Sequence, residues 1–217
     1  MKTISIFSAF IFTLAVSANA QLSNSTTDWY PGVIILENTE VVKGDISYDY
    51  SHDIVMCKID DVIKTFTPHQ VTAFKYYEES ENLFHDFVTL TNYINPRYQQ
   101  KAFYEVVLEG DISYVRKRNK YPAYNAKEGY LANRNKRLNQ HKVCYEYFVH
   151  YENELIKSKS FKREVLPIMQ NKERSLHTYM KKNQLRPYDI GDQIELVEYF
   201  NLTSDMREQT AKKISLR

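Results

Sequence analysis

Apolar residues in the first two thirds of the chain recur with the period of strands. The segment GVIILENTEVVKGDISYDY holds two short apolar runs around a polar turn near positions 37–40, which predicts a hairpin. DIVMCKIDDVIKTF follows, and its runs at 54–59 and 62–66 flank Asp60-Asp61, a pair suited to a tight turn. Further strands are predicted at 71–77, 83–90, 103–108 and 112–117, with an irregular connection over 92–100 that carries Pro96. At 143–151, VCYEYFVHY alternates: Val143, Tyr145, Tyr147, Val149 and Tyr151 share one face, and Cys144, Glu146, Phe148 and His150 the other. Gaps this short leave no room for crossover helices, so the strands pair antiparallel.

The period lengthens after Ser158. Phe161, Val165 and Ile168 fit a short helical face, which Pro167 would end or tighten. Asn171 is a candidate N-cap for a helix carrying Leu176, Tyr179 and Met180. Asp189 is a candidate cap for a third, with Ile194, Val197 and Phe200 inward and fraying from Thr203 onward. Such helices are too short to stand alone and must pack on the sheet or on each other. The expected fold is α+β, mainly β: an antiparallel curled sheet, a roll or partly open barrel, with short C-terminal helices over one end or face. One sheet or two remains open at this level.

GDISY occurs at 44–48 and again at 110–114. Gly permits backbone angles and close contacts that other residues resist. Ile and Tyr then take one strand face with Ser between them on the other. Neither copy supplies an acid–base pair or a phosphate cradle, so both read as strand chemistry.

Composition adds a compartment. MKTISIFSAFIFTLAVSANA has one cation, Lys2, an apolar run and small residues at Ala18 and Ala20, the pattern of a cleavable secretory signal. The run is shorter than the about 20 residues of a membrane span. The expected organisation is a signal over 1–20, a β-rich domain over 21–157, a helical region over 158–205 and a flexible tail over 206–217. The product is expected to be exported: periplasmic, outer-membrane-associated or secreted. Two Cys are present, Cys57 and Cys144. Export permits a disulfide between them, worth about 4–5 kcal/mol for so long a loop. Both also lie in apolar strand-like runs, where an unpaired thiol is ordinary core, and both readings stand. Asn24 and Asn201 open glycosylation sequons.

A formal charge of +2 gives no global argument for nucleic acid. Charge is instead local. Residues 116–142 carry nine Lys or Arg against one acid, Glu128, in an excursion too long for an ordinary connection. Arg116, Arg118, Lys120, Arg134, Lys136 and Arg137 are candidate contacts for phosphate, sulfate or carboxylate, and Tyr121, Tyr124 and Tyr130 offer ring faces. The blander reading is a solvated basic loop. An exported protein seldom meets nucleic acid, so an envelope protein or an anionic surface glycan or lipid is the expected partner. The 18 Tyr suit both half-buried strands and a ligand groove.

The segments GVIILENTEVVKGDISYDYSHDIVMCKIDDVIKTFTPHQVTAF, AFYEVVLEGDISYVRKR and SFKREVLPIMQNKERSLHTYMKKNQLRPYDIGDQIELVEYFN together resemble exported, largely uncharacterised proteins common in Bacteroidetes. The resemblance covers most of the chain after the signal and implies an exported β-rich domain with a helical tail. It carries over no catalytic residue.

Signatures of chemistry are sparse. The His residues are scattered, without HExxH or a Cys/His quartet, and His85 and Asp86 would face opposite ways on a strand. No metal or other cofactor is expected. No GxSxG is present, although Ser47 or Ser113 with a distant His would suit hydrolysis. Two functions are carried forward. The first is a non-enzymatic envelope interaction or structural protein using the basic excursion. The second is a small-ligand-binding module with a Tyr-rich pocket. A hydrolase ranks third.

Overall fold

The computed structural model describes residues 28–95, 98–118 and 145–215. The β-rich part is one antiparallel sheet of ten strands in the order β10-β9-β8-β7-β6-β5-β1-β2-β3-β4. The strands are β1 Tyr30–Leu36, β2 Val41–Asp49, β3 Ile54–Ile59, β4 Val62–Phe66, β5 Val71–Glu78, β6 Leu83–Asn95, β7 Tyr98–Leu108, β8 Ser113–Arg118, β9 Tyr145–Tyr151 and β10 Glu154–Lys157. The sheet does not close into a barrel: β10 and β4 are its edges. Three helices follow a 3-10 turn: α1 Phe161–Lys172, α2 Leu176–Lys182 and α3 Ile190–Ser215.

Turn chemistry sets the register. Asp60 and Asp61 both adopt positive φ, 46° and 63°, the two-residue hairpin turn whose twist matches the flanking strands. Glu152 and Asn153 do the same between β9 and β10, at 48° and 65°. Of the stretch expected to be irregular, residues 92–95 and 98–100 are strand: β6 and β7 stay paired out to Asn95 opposite Tyr98, with a register shift between Tyr93 and Asn95. Asn92 there stands opposite Gln100, and Pro96 lies outside the described residues.

Three apolar clusters divide the two faces. Ile34, Ile46, Val55, Cys57, Val71, Phe74, Phe87 and Phe103 pack on the inner face of β1–β3 and β5–β7. A register shift at Leu36 opposite Val71 lets Val71 and Phe74 both turn inward despite their odd spacing. Ala102, Tyr104, Val115 and Phe148 form a second cluster, on the opposite face of β7 from Phe103. The third joins Ile112, Tyr114 and Val149 to Phe161, Val165, Leu166 and Met169 of α1 and Leu196, Val197 and Phe200 of α3.

The helices differ from the sequence expectation in detail. Pro167 lies inside α1 and does not end it. Pro167 is exposed, so the Arg163 carbonyl it leaves without a donor faces the wet side of the helix. Burial of Phe161, Val165, Leu166 and Met169, about 1.5–3 kcal/mol each, offsets that loss. Asn171 is within α1 rather than an N-cap; α2 begins after Ser175, whose N–H and O–H both donate to Glu173 Oε1, at 2.8 and 2.6 Å. Asp189 does cap α3: its Oδ1 accepts the Gly191 N–H at 2.9 Å and the Asp192 N–H at 3.3 Å. The segment expected to fray after Thr203 is helical to Ser215.

Two polar clamps seat α3. Tyr114 donates to Gln193 Oε1 at 2.6 Å, and Gln193 Nε2 donates to the carbonyls of Pro187 and Ser158. Asn201 is buried, accepts the Ile112 N–H at 3.1 Å and donates to the Ile112 carbonyl at 2.9 Å, as a neighbouring strand would. Its sequon is therefore engaged inside the fold.

The two GDISY copies occupy different places. Gly44 is interior to β2, where a Cβ would run into the Lys58 carbonyl and lie 2.8 Å from Cys57 Sγ. Gly110 is in the β7–β8 turn, where a Cβ would strike the Asn201 amide. Both glycines serve close approach, and both isoleucines, Ile46 and Ile112, are fully buried.

Candidate functional site

The ladder between β7 and β8 ends at Glu105 opposite Arg116, whereas β8 and β9 stay paired to Arg118 opposite Tyr145. The β2–β3 tip reaches over to this opening. Asp53, at φ 57°, accepts from Tyr48 Oη at 2.8 Å and from Lys117 Nζ at 3.0 Å. Arg118 lays its guanidinium 3.9 Å from the Tyr50 ring centroid. The curl leaves a concavity of about 700 Å³ lined from β1, β2, β3, β5, β6, β7, β8 and β9.

Register assembles its walls. Phe74, Phe87, Glu105, Arg116 and Tyr147 stand in one cross-strand row, and Tyr76 stands opposite His85 in the next. Tyr30 stacks on Tyr76 at 5.1 Å, and Tyr76 on His85 at 5.0 Å. Tyr48 tilts against Phe87 at 5.0 Å and meets Phe103 edge-on at 5.8 Å. Burial pushes the Tyr48 and Tyr76 hydroxyls well above the usual phenol range, helped by Asp53 and Glu105 respectively. Both therefore remain neutral donors at neutral pH.

An ionic centre crosses this aromatic floor. Arg116 donates from Nε to Glu105 Oε2 at 2.6 Å and from Nη2 to Oε1 at 2.8 Å, and His85 Nδ1 lies 2.9 Å from Oε1. Burial alone would raise the Glu105 carboxyl, but hydrogen bonds from Arg116 and His85 outweigh it and hold the group below its ordinary value. The hydrogen bond with Glu105 in turn raises Arg116. The Arg116 guanidinium also stacks 4.1 Å from the Tyr145 ring centroid.

Charge is segregated around this centre. Glu78, Glu81 and Asp28 gather at one rim, and burial followed by Glu78 and Asp28 raises the Tyr30 hydroxyl. Arg118 lies on the other side and, among the described residues, has no carboxylate partner. The concavity thus offers ring faces, neutral hydroxyls and a cation to a ligand.

No known family model, curated protein or solved structure matches this chain.

The candidate contacts fall in two groups. Arg116 and Arg118 both line the concavity. Lys120, Tyr121, Tyr124, Tyr130, Arg134, Lys136 and Arg137 lie outside the described residues. Of the two thiols, Cys57 is free and fully buried beneath Gly44, with its thiol pushed up by burial and by Asp45; Cys144 lies outside the described residues. The serines considered for hydrolysis find other company. Ser113 donates to the Gly110 carbonyl at 3.1 Å, and among the described residues no Ser hydroxyl bonds a His.

Sequence reasoning missed Tyr30, Tyr48, Tyr76 and Glu105, and it weighed His85 only as one of several scattered histidines. The alternation of Phe74, Tyr76 and Glu78 on one strand face was the available signal. What joins that face to Glu105 and Arg116 is long-range register.

Proposed function

We propose that this protein is a non-enzymatic, exported binding module that holds a small ligand in the Tyr-lined concavity. The ligand class that suits the lining is an acidic saccharide. Its ring stacks on tyrosine faces, its hydroxyls bond to Tyr76 and the rim, and its carboxylate or sulfate meets Arg118. The carrying observation is that Arg118, half-buried against Tyr50, has no carboxylate partner among the described residues and lines a concavity walled by Tyr30, Tyr48, Tyr50, Tyr76 and Tyr145. Arg116 serves as scaffold, because Glu105 already satisfies it through two hydrogen bonds.

The envelope-interaction reading keeps one specific support. Chain segment 119–144 leaves at Arg118 and re-enters at Tyr145, and both residues line the concavity. A basic excursion rooted there would favour an anionic surface glycan over a protein partner.

The test is calorimetric titration of the protein with uronic-acid and sulfated oligosaccharides, beside neutral oligosaccharides of equal length. Acidic members bind with one-to-one stoichiometry, and Arg118→Gln weakens them by about 10-fold or more, the loss of one charged hydrogen bond. Binding of neither class, or equal binding to wild type and Arg118→Gln, overturns the reading.

A further inference from the structure

We propose that Glu78, Glu81 and His85 bind a divalent transition-metal cation at the acidic rim of the concavity. Glu78 ends β5, Glu81 lies in the following turn, and His85 enters β6 opposite Tyr76. The hairpin brings one donor atom of each residue within 4.8 Å of the others. Carboxylates alone would be an ordinary exposed acidic turn. The histidine makes the difference.

His85 is held like a metal ligand. Its side chain is only 11% exposed, and Tyr76 stacks on its ring. Nδ1 faces Glu105 Oε1 at 2.9 Å, and Glu105 is fixed by the Arg116 fork. A carboxylate behind Nδ1 selects the tautomer that leaves the lone pair on Nε2, the arrangement that orients and strengthens ligating imidazoles. Nε2 is buried without a hydrogen-bond partner. Glu78 Oε2 stands 3.3 Å away, without hydrogen-bond geometry. A buried polar nitrogen with no bond, aimed at two carboxylates, is what a cation would satisfy.

The surroundings agree. Ser80 donates to Glu78 Oε1 at 2.9 Å, and Glu78 Oε2 is the oxygen turned toward His85 Nε2. Among the described residues no Lys or Arg pairs with Asp28, Glu78 or Glu81, so no described Lys or Arg offsets the carboxylates of this rim. One imidazole and two carboxylates suit Zn²⁺ or Mn²⁺, and three protein ligands leave positions open toward the concavity. The inference does not rest on the saccharide reading, and its probe is the metal alone.

The full chain, stripped with a chelator, is titrated with Zn²⁺ by calorimetry while the His85 ring nitrogens are followed by ¹⁵N NMR. One equivalent binds, the Nε2 resonance moves and Nδ1 stays a donor. Glu81→Gln, an exposed change that leaves the fold intact, weakens binding by about 10-fold or more. His85→Gln removes it, and Cys57→Ser with Cys144→Ser leaves it unchanged. No binding, an unmoved Nε2 signal, binding indifferent to Glu81→Gln, or binding lost with the thiols each overturns the site. In those cases His85 acts as a bridge between Glu105 and Glu78.

Discussion

Asn201 shows how much one side chain can fix. Its amide satisfies both backbone groups of Ile112, which is fully buried at the point where α3 meets the β7–β8 turn. Asn201→Ala leaves a buried N–H and carbonyl without partners, at about 1–3 kcal/mol for each group. Urea denaturation should therefore show a loss of at least about 2 kcal/mol; a loss under 0.5 kcal/mol, the ordinary surface value of about ±0.5, would mean that water replaces the clamp. Two groups contribute to the acid response. Burial lowers His150 below 6.5, so the unfolded chain takes up that proton first, and the associated stability is present above pH 6.5 and lost as pH falls through and below it. Glu105 is held below 4.5, so its contribution is present above pH 4.5 and lost on further acidification. Denaturation midpoints measured from pH 8 to about pH 3 should fall in both windows. His150→Gln should flatten the upper one and spare the lower.

At the scale of elements, the strands were more legible than the helices. Alternation located every strand from β1 to β9, and Asp60-Asp61 marked its own turn. β10 escaped because ELIK is four residues long behind a Glu-Asn turn. Helix limits shifted because tertiary burial overrides local signals: Pro167 stays in α1 while that helix buries Phe161, Val165, Leu166 and Met169. Pro167→Ala restores the donor on an exposed face and should stabilise the protein by about 1–3 kcal/mol, read as a higher thermal midpoint. Gly44→Ala works the other way. Its Cβ meets the Lys58 carbonyl, so β2 and β3 must separate, at about 1–3 kcal/mol, with faster amide exchange confined to that pair.

For the whole molecule, Asp53 ties the β2–β3 tip to Lys117 beyond the end of the β7–β8 ladder. Asp53→Ala removes the acceptor of the buried Tyr48 hydroxyl together with the ion pair. It should loosen the tip in hydrogen exchange, leave β8–β9 protected and weaken any ligand of the concavity. Asp53→Asn keeps the hydroxyl acceptor and a residue tolerant of positive φ, and should retain most of the closure. Equal exchange in the two variants would show that the ion pair alone holds the tip.

The sequence by itself determined the class of this fold: period-two apolar runs with short gaps force antiparallel pairing, and aspartates at positive φ close hairpins without help from afar. It also singled out Arg116 and Arg118 by local charge. Only the tertiary structure decided that all ten strands share one sheet, because both faces of β7 are buried and either half alone would leave Phe103 or Tyr104 uncovered. It alone decided the site. Glu78, His85, Glu105 and Arg116 come from four separate segments, and no local pattern encodes the register that brings a buried imidazole between their charges.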